Sequence, residues 1–335
     1  MGNLPFFPEQ ASSVAPQVDL VTILLVGLGG FFSTIVFLLI VYFAVRYRRG
    51  SRVDRSNPPT TSLKVELSWV ALLFLLSMGT YTAAAVVYIN MGRTHEDAME
   101  IYVLGRQWMW EIQHPEGPRE INELHVPVGR QVRLIMTSQD VIHSFYVPAF
   151  RLKYDVIPGR YTNLSFVPTQ AGEYHLFCTE YCGTAHAGMI GQVVVMEPRD
   201  FQNWLSTGQN STVSMPEAGR VVFEEMGCTS CHGPGTLGET PNLIAPDLAG
   251  RFGHPVLLED GSTVTFDENY LRQSVLFPQK QVTAGFDPIM PTYQGQIDEE
   301  QLQLLIAYLK ASSAIAGQGE NLIGGKFDSN ERILP

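Results

Sequence analysis

Cys178-Thr179-Glu180-Tyr181-Cys182-Gly183-Thr184-Ala185-His186-Ala187-Gly188-Met189 places two thiols, a carboxylate, an imidazole and a thioether in one short segment. A further imidazole, His143, lies on an earlier segment. Thiolate, thioether and imidazole together favour copper over harder metals. One Cys, two His and one Met would make a mononuclear copper site. The additional cysteine offers a second bridging sulfur, so two copper ions can share two thiolates and delocalise one electron between them. Such a centre suits one-electron relay rather than bond chemistry. A Cys2His2 zinc site, or a disulfide with incidental histidines, competes on residue types alone. Zinc would leave Met189 without a role.

The segment sits among short alternating apolar runs. Trp108 to Ile112, Gln131 to Met136, Thr162 to Val167 and Gly191 to Met196 read as strands, punctuated by Gly and Pro clusters. Many short strands with regular turn signals predict an antiparallel sandwich or small barrel. After Pro216 the period becomes helical. Helices are expected over Glu217 to Met226, Asp267 to Leu276 and Asp298 to Ser312. The last has Leu302, Leu305, Ile306 and Leu309 on one face and acids at its start.

Cys228-Thr229-Ser230-Cys231-His232 is a C-x-x-C-H run, the pattern of c-type heme attachment. Two thiols one turn apart can add to the two porphyrin vinyl groups, and the adjacent histidine can ligate the iron. A thioredoxin-like pair would want a βαβ context, and half a zinc site would want a second cysteine pair nearby. The opposite axial ligand is expected before the last helix. Met290 is the choice, because the following Pro291 holds an extended backbone and a thioether ligand raises the iron potential. His254, Met226 and Met215 compete.

Two uncharged apolar runs, Leu20 to Val45 and Leu67 to Met91, are each longer than the roughly 20 residues that cross a bilayer as helix. A signal peptide fits the first run poorly, since the preceding residues hold no Lys or Arg. The loop between the runs carries Arg46, Arg48, Arg49, Arg52, Arg55 and Lys64 against Asp54 alone, which keeps it cytoplasmic. Everything after Gly92 is then outside. The net charge of −11 divides as +2 over residues 1–90, −4 over 91–216 and −9 over 217–335. An acidic outer region argues against nucleic acid and anionic lipid surfaces, and suits a basic soluble partner or simple solubility.

With these motifs together, the chain resembles subunit II of a heme–copper cytochrome c oxidase of the caa3 type, with a cytochrome c domain fused at its C-terminus. The resemblance implies a transmembrane helical hairpin (18–92) after an N-terminal tail (1–17). A cupredoxin-like domain (93–200), a linker (201–216), an all-α cytochrome c domain (217–316) and a C-terminal tail (317–335) follow. It implies that Cys178 and Cys182 bridge both ions of a dinuclear CuA centre, with His143 and His186 on one ion each. Met189 would complete one ion and the Glu180 carbonyl the other. The Glu180 carboxylate would face a magnesium ion shared with the catalytic subunit I. Gly105-Arg106-Gln107-Trp108-Met109-Trp110 matches the family's aromatic patch, with Met109 departing from its pattern, and Trp108 would be the electron entry point. Glu66, in Glu66-Leu67-Ser68-Trp69, matches the glutamate at the mouth of a proton path, although a helix-start acid explains it equally. Asp155 and Arg160 fall in a family-like motif without assigned chemistry. His95, His114, His125 and His175 read as surface or core. The implied activity is electron entry from a cytochrome-type donor, or another respiratory complex, to a proton-pumping oxidase. Quinol-oxidising relatives lack these copper ligands. The rival readings are a copper-bearing nitric oxide reductase subunit, a membrane-tethered carrier without catalytic partner, and a structural zinc protein.

Overall fold

The computed structural model describes residues 7–56, 61–93, 97–115, 117–209, 213–232, 244–248 and 250–323. Pro16 opens α1 (Ala15–Arg46), and α2 (Leu63–Met91) packs beside it. At 32 and 29 residues both exceed the roughly 20 needed to span hydrocarbon. Their apolar side chains point outward around the whole circumference, and α2 buries none of its residues. A helix apolar on every side suits lipid rather than water. Its hydroxyls fit too: Thr22, Thr34, Ser68 and Thr82 donate to the carbonyl four residues back, so they bring no unpaired donor into an apolar medium.

Ten strands follow: β1 (Met99–Arg106), β2 (Met109–Gln113), β3 (Arg119–Ile121), β4 (Glu123–Pro127), β5 (Val132–Ser138), β6 (His143–Val147), β7 (Leu152–Val156), β8 (Thr162–Phe166), β9 (Gly172–Cys178) and β10 (Ile190–Met196). They form two five-stranded sheets, ordered β3-β2-β1-β5-β8 and β4-β10-β9-β6-β7. Most pairs are antiparallel, but β1 runs parallel to β5 and β4 parallel to β10. Alternate residues such as Ile101, Val103, Leu134 and Met136 meet Phe145, Leu176 and Val193 in the core between the sheets.

The polar stretch expected as linker opens with a helix, α3 (Pro198–Gln209). It is fixed because Phe201 is buried and Trp204 stacks on His125 at 4.5 Å. The helical domain comprises α4 (Met215–Glu225), α5 (Thr229–His232), a hairpin of β11 (Pro255–Leu257) and β12 (Thr263–Thr265), α6 (Glu268–Leu276) and α7 (Glu299–Ile323). Ser214 and Asp267 cap α4 and α6 through their side-chain oxygens. α4 crosses α7 at Gly219, where a Cβ would lie 2.0 Å from the Leu304 carbonyl oxygen. Only glycine permits that approach. α7 runs beyond the expected end into the predicted tail, and residues 324–335 of that tail, like His95, lie outside the described residues.

The two outer domains share a wall. Tyr102, Ile135 and Tyr161 project from β1, the middle of β5 and the residue just before β8 on the face away from the sandwich core. They are nonetheless buried, because they join the hydrophobic cluster of the helical domain. Charged groups ring this contact. Lys310 on α7 lies 2.5 Å from Glu100 and 2.9 Å from Glu268, and Arg133 reaches both acids at 3.0 and 3.6 Å. Arg119 joins Glu300 at 2.6 Å, Arg272 pairs with Glu299 and donates to the Gly159 carbonyl, and the Tyr161 amide donates to Asn269 at 2.7 Å.

Candidate metal centre and heme cleft

The segment that opened the sequence reading forms the end of β9 and the loop to β10. β9 delivers Cys178 and the loop folds back so that Cys182 and Met189 are buried beside it. His143, the first residue of β6, completes the floor. The two sulfurs stand 3.8 Å apart. His143 Nδ1 is 3.9 Å from the Cys178 sulfur, His186 Nδ1 3.4 Å from the Cys182 sulfur, and the Met189 sulfur 3.8 Å from Cys182. The Glu180 carbonyl oxygen lies 3.3 Å from Cys178, while the Glu180 side chain is exposed. Six donor atoms from six predicted residues therefore converge on one pocket, and the softness of the set fits copper.

Its electrostatics ask for a cation. Burial raises the Cys178 thiol, but hydrogen bonds from His143, the Ser144 and Glu180 backbone and Cys182 outweigh it and bring the thiol down to about 6. Burial and the adjacent Cys178 thiolate push Cys182 up to about 12. One thiolate forms readily and opposes a second. Positive charge between the sulfurs would relieve that conflict and let both ionise.

Asp140 supports the site, and sequence reading passed over it. Its carboxylate accepts from His143 Nε2 at 2.8 Å and from the Gln107 amide at 2.7 Å, turning Nδ1 toward the sulfurs. An acid three residues before a candidate ligand was the available signal. Trp108, partly buried, donates its indole N–H to the Cys182 carbonyl at 3.2 Å, and Gln107 donates to the same oxygen. Gly183 (φ +115°) admits both, since a Cβ there would lie 2.8 Å from Gln107 Nε2. Trp108 thus bridges the domain surface and the backbone of a sulfur-bearing residue.

The second site is an apolar cleft in the helical domain, lined by Cys228, Cys231, His232 and Met290 with Phe223, Phe266, Leu271 and Leu305. His232 Nδ1 pairs with the Pro246 carbonyl at 3.0 Å, which leaves Nε2 as the unprotonated nitrogen, and burial lowers its pKa, keeping the ring neutral. A flat apolar group with two thiol-reactive edges and an iron ligated axially matches this donor set. Of the methionines weighed, Met290 lines the cleft; Met215 and Met226 do not line it, and His254 is exposed. Glu66 stands in the first turn of α2 and lines neither site. His114 is buried and His125 partly buried: both pair with Glu120, beneath Trp204.

A cupredoxin-like sandwich with a two-thiol, two-imidazole, thioether pocket, joined to a heme-cleft domain and two apolar helices, defines a membrane-bound electron-transfer protein. Residues 119–197 match the family model for the periplasmic domain of cytochrome c oxidase subunit II, and residues 216–313 match that for cytochrome c. Cytochrome c oxidase subunit 2 of Thermostichus vulcanus is 30% identical over 279 residues, covering 67% of this chain and 85% of that protein. The subunit 2 of Alkalihalophilus pseudofirmus is 28% identical over 295 residues, covering 83% and 82%. The solved periplasmic domain of oxidase subunit II from Bradyrhizobium japonicum is 31% identical and covers 36% of this chain and 99% of that one, with a TM-score of 0.34. The chain belongs to the cytochrome c oxidase subunit 2 family. Its families imply a dinuclear copper and a c-type heme, and partnership with the oxidase's subunit I.

Proposed function

We propose that this chain is the electron-entry subunit of a proton-pumping terminal oxidase in the cell membrane. A donor outside the membrane, a c-type cytochrome or another respiratory complex, delivers electrons to the fused cytochrome domain. They cross to the cupredoxin domain and leave for the heme–copper catalytic subunit, where oxygen becomes water. The observation that carries this reading is the meeting of Cys178, Cys182, His143, His186 and Met189 at 3.4 to 3.9 Å in the same chain as the Cys228, Cys231, His232 and Met290 cleft.

Bound copper and heme supply one-electron redox chemistry with little change in geometry. The protein's part is to hold and orient. Cys178, Cys182, His143, His186, Met189 and the Glu180 carbonyl would together hold the copper. Cys228 and Cys231 would carry the heme, and His232 and Met290, which line the same cleft, would supply its iron with ligands. Asp140 fixes the His143 ring, and Trp108 offers an aromatic route over the Cys182 backbone. The exposed Glu180 carboxylate would meet a magnesium ion shared with subunit I, and Glu66, in the first turn of α2, would serve a proton-path entrance.

The test is metal analysis with optical and EPR spectra of the purified full chain. Two coppers sharing one unpaired electron beside one covalent low-spin heme are expected. One copper, zinc, or a heme removed by acid extraction would refute the reading.

A further inference from the structure

Residues 8–14 make fixed contacts where the sequence suggested an N-terminal tail. Ala11 and Ser12 run against the loops at the base of the sandwich. The Ala11 amide donates to Ala149 at 3.0 Å, the Ser13 amide to Val167 at 3.1 Å, and the Thr169 amide to Ala11 at 2.9 Å. Ser12 Oγ donates to the Phe150 carbonyl at 2.8 Å. This strap then turns directly into α1.

Arg151 closes the joint. Its guanidinium reaches five acceptors: Asp19 Oδ1 at 2.8 Å, Asp19 Oδ2 at 3.0 Å, and the carbonyls of Pro148, Glu9 and Pro8 at 2.6, 3.2 and 2.7 Å. That matches the five N–H donors of the side chain. Arg151 also sits at φ +56°, a left-handed conformation costly for a side-chain-bearing residue. A strained residue whose side chain makes five bonds indicates that those bonds are what hold it there. Asp19 is nearly buried and lies one residue before the apolar run of α1, where an unpaired carboxylate is expensive.

The strap grips the sandwich at the end away from the copper pocket. Arg151 follows the far end of β6, whose first residue is His143. Val167 and Thr169 precede β9, whose last residue is Cys178. The seven residues of β9 make a lever of about 23 Å, so a 5° tilt at the strap would carry the pocket about 2 Å.

We propose that Arg151 and Asp19 form a positioning clamp that sets the sandwich on the head of α1 and thereby places the Cys178/Cys182 pocket against the catalytic subunit. The inference rests on the electron-entry reading above. The test is Arg151→Gly in the assembled oxidase in membranes, since glycine accepts φ +56° and removes only the clamp. Asp19→Asn is the second variant, keeping shape and removing charge. Amide exchange at Ala11, Ser13 and Thr169 should quicken in both. The angular spread of the copper EPR signal in oriented membranes should widen while its hyperfine pattern stays the same. The outward step, copper to catalytic subunit, should slow about tenfold or more, the scale at which ångström misplacement tells in a positioned reaction. The cytochrome-to-copper step, which lies within the outer domains, should keep its rate. Unchanged orientation and an unchanged outward rate in both variants would overturn the clamp. Absence of any outward step in the unaltered complex would instead overturn the functional reading.

Discussion

Replacing Lys310 by Met removes the one ammonium set between Glu100 and Glu268 at the domain contact, while keeping the length of the stem. Glu268, its side chain 4% exposed, then keeps only Arg133 at 3.6 Å, which also serves Glu100. Breaking a buried pair by deleting one partner costs about 3 to 5 kcal/mol. The remaining guanidinium and the 15% exposure of Lys310 favour the lower end, about 3 kcal/mol, or about 150-fold in the opening equilibrium of the two domains. The Tyr161 amide, which donates to Asn269 across the contact, reports that equilibrium directly. Its hydrogen exchange should quicken about 150-fold in Lys310→Met. Adding Glu268→Gln, which removes the stranded charge, should restore most of the protection. Exchange at Tyr161 that is the same in all three proteins would show that these charges do not hold the domains together, and the reasoning would fail.

Gly219→Ala should destabilise the cytochrome domain by about 3 kcal/mol, the upper end for overpacking, because the obstacle is a backbone carbonyl; denaturant unfolding followed at the heme band measures it. Asp140→Ala should lower copper affinity about 10- to 100-fold by freeing the His143 ring, read by chelator competition. Burial raises the Glu268 carboxyl, but Lys310 and Arg133 more than reverse this, so its pKa lies below the usual carboxylate value in the folded chain. Such a group stabilises fully above its unfolded value of about 4.3 and loses that contribution as pH falls through its lower folded value. The difference in unfolding midpoint between the unaltered chain and Glu268→Gln should therefore be constant at neutral pH and vanish only in acid below about pH 4. Heme-to-copper transfer within the chain should be flat with ionic strength, whereas reduction by an external basic cytochrome should slow steeply with salt, as stopped-flow traces at low and high salt would show.

How much of this was legible in the sequence depended on how local each feature is. The two-thiol pocket and the cleft of the C-x-x-C-H run were legible because most of their candidate ligands fall in runs of twelve and five residues, where spacing carries geometry. Asp140 was not, since its value comes from a turn that aims one oxygen at His143 and another at the Gln107 amide. The docking wall had a trace that went unused. Ile101-Tyr102-Val103-Leu104 is apolar at every position, and a strand that does not alternate is buried on both faces. The strap left no trace, because residues 8–14 are fixed mainly through their backbone groups, by distant loops and the Arg151 side chain, and such contacts impose no periodicity.

The same wall changes how fusion of the two domains must be understood. A flexible linker would raise the effective concentration of heme domain at copper domain while leaving many orientations open. Here α3 is packed onto the sandwich through Phe201 and Trp204, and the Met215 amide, just beyond Ser214, is bonded to the Pro115 carbonyl at 2.9 Å. Five Cα steps separate Gln209 from Ser214, a reach of at most about 18 Å. A tether so short, anchored at both ends and backed by a buried contact with its own charge network, selects one arrangement instead of sampling many. Tyr102 and Ile135 then belong to the strands of one domain and the core of the other, so the distance between pocket and cleft is fixed by the pleat of β1 and β5. On that arrangement and the proposed electron path, diffusion is left only to the external donor, and the charge of −9 over residues 217–335 would face it.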